Sequence, residues 1–225
     1  SQLLVDLQGL HAGARQIQSA SLNFAGVQAA HVLDLSVKTP TVTAATQLAG
    51  GLDNDLQWLG QLRNGQLDSR KIKLRQDRPA ALIWNTNARS AQLDPHCGVS
   101  NGSRLCVVEP LQASPAKGYA AVRLQNLEIA TFRDLMPTGM IWQGKLNGQA
   151  IGGWQQGQAP TLDAQIYTDS GVIGLTADDP QDPPLTVAYQ RLSLVASTQG
   201  EGMRVRVDAL TPNIGSGYID GVIDP

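Results

Sequence analysis

Aromatic side chains are scarce in this sequence: four Trp, four Tyr and two Phe serve 225 residues. Such rings commonly fill sandwich cores because each buries a large area, so aliphatic residues must supply nearly all the apolar surface here. Long hydrophobic runs are also missing, and no stretch approaches the ~18 apolar residues of a spanning helix. Neither sign of charge is in excess: 17 Lys and Arg face 19 Asp and Glu, for a formal net charge of −2. That balance excludes the basic footprint of a nucleic-acid binder, as well as a polyacidic tail. There is no initiator Met and no secretory apolar region, and Ser1 opens what reads as a strand. The chain is therefore expected to be a mature or excised portion of a longer protein.

Catalytic signatures are likewise missing. The sequence holds no Gly-x-Ser-x-Gly, no His-Glu-x-x-His and no phosphate-cradling glycine loop. Gly215-Ser216-Gly217 reads as a turn. Asp178-Asp179 and Asp53-x-Asp55 pair carboxylates in a way that suits acid–base work or calcium, yet both sit beside turn residues, where Asp commonly caps backbone groups. Arg70, Lys71, Lys73, Arg75 and Arg78 form one basic cluster. Interleaving with Ile72 and Leu74 makes it the solvated face of a strand guarded against edge pairing; contact with an anionic head group is the alternative. No nucleophile has a plausible base, so neither an enzyme nor a cofactor is expected.

What the chain does have is period-two alternation from end to end. Leu33, Leu35 and Val37 alternate with Asp34, Ser36 and Lys38, and Ile72 and Leu74 with Lys71, Lys73 and Arg75. Val122 and Leu124 flank Arg123; Leu162, Ala164 and Ile166 alternate with Asp163 and Gln165; Leu192, Leu194 and Ala196 follow the same rule. Met203, Val205, Val207 and Ala209 alternate with Arg204, Arg206 and Asp208. Successive strand side chains point to opposite faces, so each segment has an apolar and a wet side. The 23 Gly and 12 Pro punctuate these strands. Asn64-Gly65, Asn101-Gly102 and Asn147-Gly148 are hairpin dipeptides, and Gly50-Gly51, Gly152-Gly153, Asp94-Pro95, Asp179-Pro180 and Pro183-Pro184 are further breaks. About fifteen strands in an antiparallel-rich meander follow, with one short helix near 127–135 that Asn126 would cap and Pro137 would end. Trp58-x-Gly60-x-Leu62 before Asn64-Gly65 is repeated as Trp142-x-Gly144-x-Leu146 before Asn147-Gly148, suggesting related sheet modules.

The cysteines, Cys97 and Cys106, bracket Asn101-Gly102. With that dipeptide as a two-residue turn, Ser100 faces Ser103 and Cys97 faces Cys106. Counting outward, the cysteines fall on a non-hydrogen-bonded pair, close enough for a disulfide. Such a bond implies an oxidising compartment such as the periplasm or cell exterior. Zinc is disfavoured, since His96 beside Cys97 lacks the three or four convergent ligands needed and reads as an exposed residue of the Asp94-Pro95 turn.

The order Trp58-x-Gly60-x-Leu62, Arg78-Pro79-Ala80-Ala81-Leu82, Leu93 leading into Cys97, and Gly102-x-x-Leu105-Cys106 resembles the TamB family. The similarity continues through Tyr119–Leu127, Leu135-x-Pro137 and Trp142-x-Gly144-x-Leu146-Asn147-Gly148, covering about residues 48–150. Gln149 departs from it, standing where an acidic residue is expected. The resemblance implies an all-β fold: an elongated sheet curled into an open, taco-like trough with an aliphatic interior. It also implies membership among bridge-like, AsmA-like lipid-transfer proteins, an anchor in the inner membrane outside this chain, and a periplasmic location. Its expected partners are phospholipid acyl chains, a TamA-like outer-membrane barrel subunit, and nascent outer-membrane proteins including autotransporters.

One β-taco segment over 1–225 is expected, with 1–110 and 111–225 as possible sub-modules. The expected groove lining is Leu33, Leu35, Val37, Ile72, Leu74, Val122, Leu124, Leu162, Ile166, Leu192, Leu194, Val205 and Val207; ordinary core packing is the alternative for each. A uniform aliphatic wall would let a lipid slide without deep wells. Two rival readings remain: a chaperone-like module that binds nascent strands by β-augmentation, and a closed β-domain of an adhesin or polysaccharide-acting enzyme.

Overall fold

The computed structural model describes residues 1–12, 15–69, 71–177, 182–200 and 202–223. Arg70, Asp178, Asp179 and Pro180, singled out above, lie outside the described residues. The fold is all-β and antiparallel, as the alternation requires, and its contacts divide the chain into two units, residues 1–120 and 121–225.

Unit 1 begins with β1 (Gln2–Ala12), β2 (Arg15–Val27), β3 (Ala30–Lys38), β4 (Val42–Leu52) and β5 (Gln57–Ser69), each paired with the next. Short strands follow: β6 (Lys73–Gln76), β7 (Ala80–Asn85), β8 (Ser90–Leu93), β9 (His96–Ser100), β10 (Ser103–Val107) and β11 (Leu111–Ala113), then the start of β12 (Lys117–Glu128). They run in two tiers. The first half of β5 pairs with β7, which leads to β8 and β11; the second half pairs with β6, which leads to β9 and β10. β11 in turn pairs with β12.

Where the tiers part, β5 bulges, with Asn64 at φ 55° and the register slipping between Ala45↔Gln66 and Gln47↔Arg63. The Gln76 side chain bridges the gap like a peptide group. Its amide donates to the Leu62 carbonyl (3.0 Å) and accepts from the Gly65 N–H (2.9 Å). Asn64-Gly65 is therefore a bulge and not the expected hairpin. Asn147-Gly148 is not one either, because it lies inside a strand. Gly50-Gly51 and Gly152-Gly153 also fall within strands. Asn101-Gly102 does turn, with φ 43° and 86° joining β9 to β10.

Unit 2 contains the rest of β12, a 3-10 segment Ile129–Leu135, β13 (Met140–Gln143), β14 (Lys145–Gln155), β15 (Thr161–Leu175), β16 (Leu185–Gln199), β17 (Gly202–Thr211) and β18 (Gly215–Ile223). β12 pairs with β14, β13 and β14 with β15, and a meander runs on to β18. The expected helix is corrected to this 3-10 segment, which starts two residues later than proposed. Asn126 does not cap it but sits in β12 at φ 53°, its N–H bonded to Asn147 Oδ1 at 2.9 Å. The Ile129 N–H donates to the Gly144 carbonyl (3.1 Å), which ties the start of this segment to the sheet.

Among the described residues neither unit closes into a barrel: β1 pairs with β2, and β18 with β17. Among the described residues, the buried apolar side chains are Ala80, Cys106, Ala121, Leu127, Ile129, Tyr189 and Ala196. The exposed surface is 14697 Å², whereas two separate compact domains sharing this mass would expose about 12,000 Å². Most apolar side chains are therefore only half covered.

Candidate functional site

Residues directly opposite in an antiparallel pair point to the same side, so the register alone assembles the apolar faces. In unit 1 one row reads Leu3, Phe24, Leu33, Leu48, Leu62 and Ala80. Another reads Leu7, Ala20, Val37, Ala44, Leu67 and Leu74. Between them lie Val5, Leu22, Leu35 and Thr46. Here the sheet forms an open depression of about 410 Å³, lined by Leu35, Val37, Ala44, Leu62, Leu67 and Leu74 on one side and by the backbone of Gly98 on the other. A Cβ at Gly98 would stand 3.3 Å from that of Leu74, so Leu74 would have to give by a few tenths of an ångström. The reverse face is polar: Ser21 Oγ meets Ser36 Oγ at 2.7 Å, Gln47 donates to Asp34 at 2.8 Å, and Arg75 pairs with Asp68 at 3.1 Å.

Unit 2 repeats the arrangement. Its central row is Gly148, Ile166, Leu194, Val207 and Ile219, flanked by Ala150, Ala164, Ala196, Val205 and Gly221. Leu146, Thr168, Leu192 and Ala209 lie on one side, and Gly152, Leu162, Thr198, Met203 and Ile223 on the other. The reverse face holds the charge. Arg204 donates to both oxygens of Asp220, and Arg206 pairs with Asp208 while its guanidinium lies 4.5 Å from the Tyr218 ring centroid. Hydrogen bonds from Arg204 and Arg206 hold the Asp220 and Asp208 carboxyls below the usual carboxylate range. Arg123 and Gln125 border a shallow polar depression with Asn147, Gln149 and Gln165 on this same face; strand alternation then puts Val122 and Leu124 on the apolar one.

Of the anticipated lining residues, Leu33, Leu35, Val37 and Leu74 thus share one face of unit 1. Val122, Leu124, Leu162, Ile166, Leu192, Leu194, Val205 and Val207 share one face of unit 2. Ile72 stands apart in the β5–β6 turn, where its N–H and carbonyl are both tied to Ser69. None of the thirteen is buried: Val37, Ile166, Leu194 and Val207 are exposed and the rest half-buried. Leu48, Leu62, Leu67, Met203, Ile219 and Ile223 were not anticipated. The alternation of Ile219, Gly221 and Ile223 was legible, but the glycines of β18 read as turn residues.

The cysteines form a disulfide in the expected register, Cys106 opposite Cys97, with Cα atoms 4.0 Å apart. Asp77 ties this hairpin to β6, its carboxylate accepting the Cys97 N–H at 2.9 Å and pairing with Arg104 at 3.0 Å. His96 is not in the turn but opens β9 half-buried, its Nδ1 at 3.0 Å from the Asp94 carbonyl. Asp53 caps its own turn through the N–H groups of Asp55 and Gln57. Among the described residues no three His, Cys, Asp or Glu side chains converge as metal ligands.

Both Trp-x-Gly-x-Leu segments carry an aromatic node. The Trp58 indole lies across Gly60 and Gly50, where a Cβ would come within 2.4 and 2.9 Å of its ring, and its N–H donates to His31 Nε2 at 2.8 Å. The Trp142 N–H donates to the Tyr189 hydroxyl (3.1 Å), which itself donates to the Gln143 carbonyl (2.8 Å) and lies 3.2 Å from Thr168 Oγ1. Tyr189, Thr168 and Ile129 are buried around Gly144. Sequence reading gave no hint of Tyr189, because its partner glycine, Gly171, is distant in the chain.

Rows of aliphatic side chains on one face of each unit can hold hydrocarbon. No helix among the described residues is long and apolar enough to cross a membrane. No solved structure matches the chain. Residues 1–224 match the family described as TamB, N-terminal domain. With an open antiparallel all-β fold, the disulfide-bonded Asn-Gly hairpin and a match over nearly every residue, the chain belongs to the TamB family, whose members are envelope transport and assembly proteins that work with TamA-type partners.

Proposed function

We propose that this chain is a periplasmic segment of a TamB-like protein whose aliphatic faces carry phospholipid acyl chains between the inner and outer membranes. In this role it supports outer-membrane protein and autotransporter assembly together with a TamA-like barrel subunit. The observation that carries the reading is the half-exposed state of the anticipated lining residues, which leaves apolar rows with hydrocarbon character within reach of solvent. A buried methylene gains about 0.8 kcal/mol, so a chain of ~12 methylenes laid half-covered on such a row gains about 5 kcal/mol. Because Leu, Val, Ile and Ala recur along each row, that gain varies little with position and the chain can slide.

Photocrosslinking from Leu35, Leu74 and Val207 in cells tests the reading: phospholipid adducts support it, and protein adducts alone overturn it. Such protein adducts would favour the chaperone-like alternative, in which nascent outer-membrane strands add to a sheet edge. That alternative draws on β18, whose every residue is exposed.

A further inference from the structure

We infer that His31 is a proton-operated latch that holds Trp58 across the end of the apolar face of unit 1. His31 Nδ1 lies 3.1 Å from the Val27 carbonyl, and its Nε2 lies 2.8 Å from the Trp58 indole nitrogen. A carbonyl only accepts and an indole N–H only donates. The two contacts therefore coexist only in the neutral imidazole, with its proton on Nδ1 and a lone pair on Nε2. A second proton goes to Nε2 and sets one N–H donor against another, so the indole loses its partner.

The residues packed around the ring do not buffer this event. Gly26 and Gly50 are in register with His31, Phe24 stacks at 5.1 Å between ring centroids, and Trp58 completes the surround. None of these ionises. Asp53 at the neighbouring turn has its carboxylate engaged by two backbone N–H groups.

Trp58 rests on Gly50 and Gly60, one row beyond Leu33, Leu48 and Leu62. Since nothing but hydrogen there would fit beneath the ring, the indole is a removable cover over bare backbone. Protonation of His31 frees it and lengthens the open apolar face by one row. This latch operates whether or not the face carries lipid.

The test is an NMR titration of the whole chain from pH 8 to pH 5 with labelled Trp and His. The Trp58 indole N–H signal is expected to follow a single one-proton transition shared with the His31 ring, while Trp84, Trp142 and Trp154 stay constant. In His31→Gln, whose side-chain carbonyl accepts at every pH, the Trp58 signal is expected to stay flat. A Trp58 signal that does not move in the native chain, or that moves equally in His31→Gln, overturns the inference. The ring nitrogen shifts of native His31 at pH 8 give a check that needs no variant: a proton on Nδ1 supports the latch, and a proton on Nε2 refutes it.

Discussion

Leu194 and Val195 are adjacent in β16 and equally exposed, at 37% each, yet they face opposite sides. Leu194 sits in the row of Ile166, Val207 and Ile219, and Val195 in that of Gln165, Arg206 and Asp220. Replacing either with Arg removes a side chain that is already part-solvated, so each substitution is expected to change stability by no more than ~1 kcal/mol. Their effects on a bound acyl chain should differ. An Arg held against hydrocarbon costs about 2–4 kcal/mol, which lowers occupancy of that row roughly 30- to 900-fold. Leu194→Arg should therefore abolish phospholipid photo-adducts at the neighbouring Ile166 and block transport in cells, while Val195→Arg leaves both near the native level. Far-UV circular dichroism and melting curves establish that both variants fold. Equal loss from the two substitutions, or none from Leu194→Arg, would refute the assignment of the apolar face as the lipid path.

Three further outcomes follow from the geometry. Cys97→Ser should cost about 2–3 kcal/mol through the lost closure of a short loop, read as a lower melting temperature with native strand content. Reducing agent should lower the native melting temperature similarly and leave the variant unchanged. Gly171→Ala places a Cβ about 2.1 Å from the Gln143 carbonyl and 2.3 Å from the Tyr189 hydroxyl, so overpacking should destabilise it by about 1–3 kcal/mol; Gly217→Ala meets nothing within 4 Å and should melt like the native chain. Asp208 and Asp220 have lowered carboxyl pKa values in the folded chain. Their pairs with Arg therefore stabilise β17 and β18 above the unfolded carboxyl pKa of about 3.9, and lose that contribution as pH falls through the lower folded values. Amide exchange in β18 should accelerate relative to β16 below that pH, and a constant ratio would count against the pairs.

Alternation was enough to place Leu162, Ile166, Leu192, Leu194, Val205 and Val207 on one face, because a strand leaves each side chain only two directions. The same rule, with the turn at Asn101-Gly102, set the pairing of Cys97 with Cys106. Asn64-Gly65 and Asn147-Gly148 misled because a dipeptide that tolerates positive φ serves a bulge as readily as a turn. Which one forms depends on whether neighbouring strands extend past it. β4 runs alongside the whole of β5, and β15 alongside most of β14, so the strands continue.

Local chemistry therefore determined the class of fold, the sidedness of its strands and the one covalent tie. Tertiary structure alone decided the aromatic nodes. The bonds of Trp58 to His31 and of Trp142 to Tyr189 join residues 27 and 47 positions apart, and they exist only because the register brings a glycine beneath each ring. No periodicity encodes such a meeting, since it depends on the summed lengths of every strand and turn between the partners. The exposure of the faces is decided the same way: an alternating strand is equally suited to a closed core, and only the packing around each row leaves its side chains half-exposed.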